Sequence, residues 1–399
     1  MPELLAPAGD MATARIAMRF GADAIYLGGS MLQLRAGSTG FSINDIEAIA
    51  NEAHSMGRRV YVTVNAYARD SELDALGRYA ARLMDAEVDA CIISDPGVMS
   101  IFHENAPELP IHVSTQANCM NSAAAMAYYA LGARRVVPAR ELTLDQLAEM
   151  RRRLPADMEI ETFIHGAMCM AYSGRCMISA FLTGRSGNRG GCTQPCRWKY
   201  SIAEETRPGM YFPLEETEGG MALFSSRDLN AMAFLDRLVD IGIESFKIEG
   251  RMKSEYYCAT VVNAYRMRLD AILEGRGADI AALERELDSV SHRPYSSGFY
   301  FSELVDVPGD GGEYERGCMY IANVDCVEGG RARITLKNKF VQGETLEVLS
   351  PGHTGRAFTA ANITDPEGVH YDAASVPTKV YEIDIPDGVS PGDMLRRRM

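Results

Sequence analysis

Along residues 1–250, short β-branched and apolar runs alternate with longer stretches of helical period, the pattern of repeated βα units around a parallel sheet. Seven runs predict strands: ELLAPAG from Glu3, AIYLGG from Ala24, RRVYVTVN from Arg58, ACIISD from Ala90, IHVSTQ from Ile111, RRVVPAR from Arg134 and MEIETFIHG from Met158. An eighth, ESFKIEGR from Glu244, follows a helical stretch over Leu229–Val239. Eight such units close a TIM-like (β/α)8 barrel of the α/β class, and an open doubly wound sheet is the alternative. Before the eighth strand the pattern breaks for an insertion over 167–243, which begins rich in Cys, Gly and Arg. It continues as KYSIAEE and MALFSS, two alternating stretches that predict a small β-meander. Helices are expected over Tyr256–Glu274 and Ala278–Ser291. From Tyr314 onward the runs CMYIANVDCV, RARITLKNK, ETLEVLS, AFTAANIT and KVYEIDI predict a small β-barrel. The expected domains are thus 1–310, a barrel that includes the insertion, and 311–399, the small β domain.

Polar residues gather at the ends of the predicted strands: Asn65, Ser94, Asp95, Gln116, Arg140, Glu141, His165, Lys247, Glu249 and Arg251. In a barrel of this kind the carboxyl ends of the strands face the active site. Composition adds little, since 47% hydrophobic and 24% charged residues describe an ordinary globular chain without an apolar run long enough for a membrane span. The first residues lack a basic stretch followed by an apolar one, so a cytoplasmic protein is the expectation. A net charge of -14 excludes an electrostatic carpet for nucleic acid over the whole surface and leaves room for a local basic patch.

The densest chemistry lies between Glu161 and Tyr200. Cys169, Cys176, Cys192 and Cys196 follow one another with six, fifteen and three residues between them. Glycines around them let backbone amides wrap closely about a group, and four thiolates in such a wrap suit an iron-sulfur cluster or a tetrahedral zinc. Four reduced cysteines without metal are the plain alternative. Arg175, Arg185, Arg189 and Arg197 would offset the charge of a thiolate-bound cluster or contact phosphate. The chain contains no H-E-x-x-H, G-x-S-x-G, P-loop or G-x-G-x-x-G motif. A thiol nucleophile at Cys169 or Cys176 with His165 as its base is a further arrangement.

The run Glu161, Phe163, Gly166, Ala167, Cys169, Gly174, Cys176 and Ser179 resembles the signature of the collagenase-like peptidase family, U-type family thirty-two. The resemblance continues through LLAPAGD, YLGG, ISDPG, SSRDL, KIEGRMKS and the KNKF segment. It implies a barrel fold and, for several members, oxygen insertion into RNA or ubiquinone precursors with an iron-sulfur cluster. HGAMCMAYSGRCMIS, CTQPCRW and SFKIEGRMKSEYYCA are similar to the subgroup that hydroxylates the wobble uridine of tRNA without molecular oxygen, taking the hydroxyl from prephenate. That resemblance implies a [4Fe-4S] cluster at Cys169, Cys176, Cys192 and Cys196, prephenate as co-substrate and the tRNA anticodon loop as partner. Some members carry a ligand cysteine where this chain has Asn230, so Cys196 is taken as the fourth ligand and Cys258 as its alternative. His165, Lys247 and Glu249 would handle protons, Arg140 and Arg251 would pair with the carboxylates of prephenate, and Trp198 or Tyr172 would stack on an unpaired base. Arg185, Arg189, Arg197 and Lys199, with Lys337 and Lys339, form the expected phosphate patch. An oligomer with itself or with a related family member is a further expectation. The competing readings are a cysteine- or metal-dependent peptidase, a hydroxylase of ribosomal RNA or a ubiquinone precursor, and a non-catalytic RNA-binding scaffold.

Overall fold

The computed structural model describes residues 1–34, 40–169, 171–198, 227–302 and 314–399. Strands β1 (Glu3–Pro7), β2 (Ala24–Gly28), β3 (Arg59–Val64), β4 (Ala90–Ile93), β5 (Ile111–Val113), β6 (Ala133–Val136) and β7 (Glu159–Ala167) pair in parallel, each with the next. A short strand, β8 (Asp228–Asn230), pairs antiparallel with the end of β7, and β9 (Ser245–Ile248) lies parallel to both β7 and β1. The ring therefore closes through β9 as an eight-stranded (β/α) barrel, and the open-sheet alternative is excluded. Fully buried Val, Ile, Leu and Ala fill both faces of these strands, as expected where helices cover the outside and side chains fill the inside.

The helices between strands begin where the sequence supplies caps. Ser42, Asp95, Asn121 and Thr143 each accept a backbone N–H of the following first turn, which fixes where these helices start. The expected helical stretch from Leu229 is realised differently. Its first residues pair as β8, Asn230 Oδ1 accepts from Met232 N at 2.9 Å, and the helix runs Leu235–Ile241. Asp228 is drawn into that strand position by a buried fork with Arg293, at 2.9 Å from Nε and 2.6 Å from Nη2. The expected β-meander at KYSIAEE and MALFSS falls outside the described residues.

By its contacts the chain forms two compact units, one of residues 1–14, 23–253 and 293–314, the other of residues 15–22, 254–292 and 315–399. The second holds helices Glu255–Leu273 and Ile280–Leu287 and an antiparallel half-barrel. Its six strands stand in the order Arg356–Thr359, Thr345–Leu349, Met394–Arg398, Cys318–Glu328, Arg331–Leu336 and Val380–Asp384, around a core that includes Ile321, Ile334, Phe340, Leu346, Tyr381 and Leu395. No helix among the described residues is long and apolar enough to cross a membrane.

Candidate active site

The first unit has a cavity of about 420 Å³ at the carboxyl ends of the barrel strands. Its floor is charged. Lys247 on β9 lies beside Phe163 of β7 and Leu5 of β1 in the ladder, and its Nζ donates to Glu161 Oε1 at 2.7 Å. The same ammonium sits 4.4 Å from the centre of the Tyr26 ring, an arrangement that holds a cation in place on an aromatic face. Glu161 is fully buried, which alone would raise its pKa, but Lys247 and Arg135 outweigh burial and hold the carboxyl below its usual 4.5. Beneath it Arg135 bridges Glu161 at 3.1 Å to Glu3, and Glu3 also accepts from Tyr61 Oη and Ser245 Oγ, each at 2.8 Å. Burial together with Arg135, Lys247 and Arg59 pushes the neighbouring His112 imidazole well below its ordinary pKa, so it stays neutral.

Above this floor Arg251 Nη1 donates to Thr63 Oγ1 at 3.0 Å, and Glu249 Oε2 accepts from Tyr26 Oη at 3.2 Å. Arg140 donates to the Ala167 carbonyl at 2.9 Å with its guanidinium over Phe163. Asn65 donates to Ser114 Oγ, while its buried Oδ1 has no hydrogen-bond partner and lines the cavity. Among the described lining residues four are cationic, Arg140, Lys247, Arg251 and Lys253, and one, Glu249, is anionic. A cavity with that balance favours a ligand carrying carboxylates or phosphates.

The cysteine-rich loop supplies further lining residues, among them Cys169, Tyr172, Ser173 and Gly174. Gly166 starts it with φ +105°, at a point where a Cβ would stand 2.6 Å from the Glu249 carbonyl. Ser173 N donates to the buried Glu141 carboxylate at 3.1 Å, and Tyr67 Oη donates to the Gly174 carbonyl at 2.5 Å. At Gly174, φ is +74° and a Cβ would meet the Gln116 carbonyl at 2.1 Å, so only glycine lets the loop press this close to the barrel. Farther on, Asn188 Nδ2 donates to the Cys176 carbonyl at 3.2 Å, and Gln194 N donates to Cys192 Sγ at 3.4 Å. The loop is thus tied to the barrel at several points between its cysteines.

Cys169, Cys176, Cys192 and Cys196 all line the cavity, and none is in a disulfide. The Cys176 thiol is pushed up by burial and by the nearness of Cys169 and Cys192. Among the described residues no three His, Cys, Asp or Glu side chains already form a cage tight enough for a metal ion. The donor chemistry nevertheless fits an iron-sulfur cluster, with four thiols and the glycines Gly174, Gly187 and Gly190 among the lining residues.

Lys247, Glu249, Arg140 and Arg251 therefore meet the four cysteines around one cavity. His165 does not line it; the imidazole is buried and packs 5.4 Å from the Tyr295 ring. Arg189 is engaged elsewhere, in a fork with both Glu72 oxygens at 3.0 Å and a bond to the Tyr67 carbonyl. Trp198 is half exposed outside the cavity, while Tyr172 lines it. The Arg197 side chain and Lys199 lie outside the described residues. Cys258 is buried in the helix Glu255–Leu273, and Asn230 is held in the β8 ladder. Sequence reasoning missed Tyr26 and the pairing role of Glu161. The available signal was an acidic residue in the middle of the apolar run EIETFIHG.

The Peptidase family U32 model matches residues 9–306, and the model of that family's C-terminal domain matches residues 316–396. The chain is 36% identical over 396 residues to "tRNA hydroxylation protein P" of Escherichia coli (strain K12), covering 88% of this chain and 86% of that one. It is 34% identical over 402 residues to "tRNA hydroxylation protein P1" of Bacillus subtilis (strain 168), covering 99% and 94%. With "23S rRNA 5-hydroxycytidine C2501 synthase" of Escherichia coli (strain K12) it shares 40% identity over 275 residues, 69% of this chain and 40% of that one. A barrel closed as described, together with matches over both of its parts, makes this chain a member of peptidase family U32.

Proposed function

We propose that this chain is a tRNA uridine 5-hydroxylase, converting C5–H of a wobble uridine to C5–OH without molecular oxygen, with prephenate as the hydroxyl donor. The observation that carries the reading is one cavity lined by four thiols and four cations, in a chain 36% and 34% identical to two tRNA hydroxylation proteins over most of their length. Cys169, Cys176, Cys192 and Cys196 would hold a [4Fe-4S] cluster, which when bound supplies one-electron redox chemistry next to the substrate.

The chain's own residues divide the remaining work. Lys247, fixed by Glu161 and Tyr26, and Arg251, fixed by Thr63, present cations that pair with the two carboxylates of the donor. Arg140 closes the same side, its head group already oriented by the Ala167 carbonyl. Glu249, whose Oε2 lies 3.2 Å from Tyr26 Oη, is placed to hold or move a proton beside the reacting base. A cavity of about 420 Å³ at the strand ends has room for the donor and one base swung out of its loop.

The test uses protein purified without oxygen. Iron, acid-labile sulfide and the visible spectrum are measured for wild type and Cys192→Ser, and tRNA nucleosides are analysed from a deletion strain carrying either gene. The expected result is about four iron and four sulfide per chain, both lost in the variant, and 5-hydroxyuridine derivatives restored by the wild-type gene alone. Zinc or no metal in the wild type, with tRNA unchanged in the deletion strain, would overturn the proposal and favour a thiol peptidase.

A further inference from the structure

The helix Ile178–Thr183 in the cysteine-rich loop has its polarity inverted. Its inner side carries hydroxyls: Ser179 is buried, Ser179 Oγ lies 3.1 Å from Thr193 Oγ1 and accepts from Thr193 N at 3.1 Å, and Thr183 Oγ1 donates to the Ser179 carbonyl at 2.7 Å. Its outer side carries Phe181, 88% exposed, and Leu182, 48% exposed, with Met177 just before the helix at 67%. An ordinary surface helix does the reverse, burying its apolar side and showing its polar one. The Ser179–Thr193 bonds anchor the helix by its hydroxyl side, which leaves Phe181 on the outer side. Exposed apolar groups held in this way mark a binding surface.

Charge and position select the occupant. From Cys169 to Trp198 the sequence contains four arginines and no Asp or Glu, in a chain whose net charge is -14. Arg175 and Arg185 flank the helix and are both exposed. Ile178, one helical turn from Phe181, lines the cavity, so the apolar strip runs outward from the cavity lip. We infer that this helix face is the seat of unpaired bases: Phe181 stacks on a base of a single-stranded RNA loop, and the flanking arginines meet its phosphates. Apolar faces between cations are what a single strand offers partners for, whereas a duplex hides its base faces. The inference rests on the proposed function for the identity of the RNA, and adds how the loop is held at the cavity.

The test measures binding of the full-length, anaerobically purified protein to a synthetic RNA stem-loop with an unpaired seven-nucleotide loop, and to a blunt RNA duplex, by fluorescence anisotropy at fixed salt. Phe181→Ala is expected to weaken stem-loop binding about five- to a hundred-and-fortyfold, the range for one base–aromatic stack, and to leave duplex binding, iron content and thermal midpoint unchanged. Phe181→Tyr keeps the stack and is expected to bind as wild type. Equal stem-loop affinity for wild type and Phe181→Ala would overturn the inference. So would an apolar protein partner lost from Phe181→Ala without any change in RNA affinity. The tRNA nucleosides of a deletion strain carrying the wild-type gene are read separately: hydroxylated uridine alongside an unchanged Phe181→Ala affinity removes this docking face alone. Stem-loop binding lost in Phe181→Ala, with no hydroxylated uridine, upholds the docking face and removes the proposed reaction.

Discussion

Each unit of this molecule buries an arginine between glutamates, and the two clusters end differently. In the second unit Arg396, wholly buried, meets Glu286 at 2.7 Å and Glu347 at 2.8 Å, and also approaches Ser289 Oγ and Tyr256 Oη. Arg398 adds a second bond to Glu347, at 2.5 Å. None of these residues lines the barrel cavity. In the barrel Arg135 bridges Glu3 and Glu161 in a similar way, yet Glu161 carries one more cation, Lys247, which opens on the candidate active site. The same buried chemistry therefore serves two ends. Around Arg396 it fixes a packing arrangement; around Arg135 it fixes the position of a charge that a ligand can reach.

The largest effect expected from breaking this pair of clusters comes from Arg396→Met. It leaves two carboxylates buried with one partly exposed arginine, and breaking a buried pair from one side costs about 3–5 kcal/mol. Denaturant unfolding should show that loss, while hydroxylated nucleoside formed per folded molecule stays at the wild-type level. A folded variant with reduced product would show that this cluster also serves the reaction.

Glu161→Gln is expected to cost somewhat less, about 3 kcal/mol, since Arg135 keeps Glu3 and Glu159. It should also abolish product, because Lys247 loses the anion that positions it. The pH dependence supplies a second reading. The Glu161 carboxyl is held below its usual 4.5, so the stability it contributes is fully present above that pH and disappears as pH falls through the depressed folded value. Wild type should lose stability more steeply than Glu161→Gln below pH 4.5, measured as unfolding midpoints across acid pH. Parallel slopes would mean that the Glu161 carboxyl titrates alike in the folded and unfolded protein.

These clusters also mark where sequence reading stops. All eight barrel strands were legible because each is a compact apolar run, and the ends of those runs gave Asn65, Arg140, Lys247, Glu249 and Arg251. The four cysteines were legible by type and spacing, and one cavity receives them all. The alternation in EIETFIHG, however, sorts residues into two faces without saying which is inside. Glu161 and Phe163 share a face, and only ring closure turns that face inward. The final MLRRRM is absent from the predicted strands, yet Met394–Arg398 is a strand and Arg396 its most buried arginine. His165 illustrates the opposite error: the polar residue at the strand end points to Tyr295 instead of the cavity.

A third arginine fork shows what burial contributes to the contrast. Arg189 meets Glu72 with two bonds of 3.0 Å, as good in geometry as those around Arg396, but its side chain is 28% exposed and that of Glu72 30%. Water already solvates both partners, so the pair gains little from contact and loses little when broken. Glu72→Gln should therefore lower stability by about 0–1 kcal/mol, the smallest of these effects, read as a small fall in thermal midpoint. The fork still ties the loop near Cys192 to the barrel through the Tyr67 carbonyl and the Tyr67 N bond to Asn188. For the proposed cluster, retention of iron over hours is thus the more sensitive readout, and it should shorten in the variant even where the midpoint barely moves. A stability loss as large as that of Arg396→Met would mean that the geometry of the fork, and not its burial, sets the energy of all three.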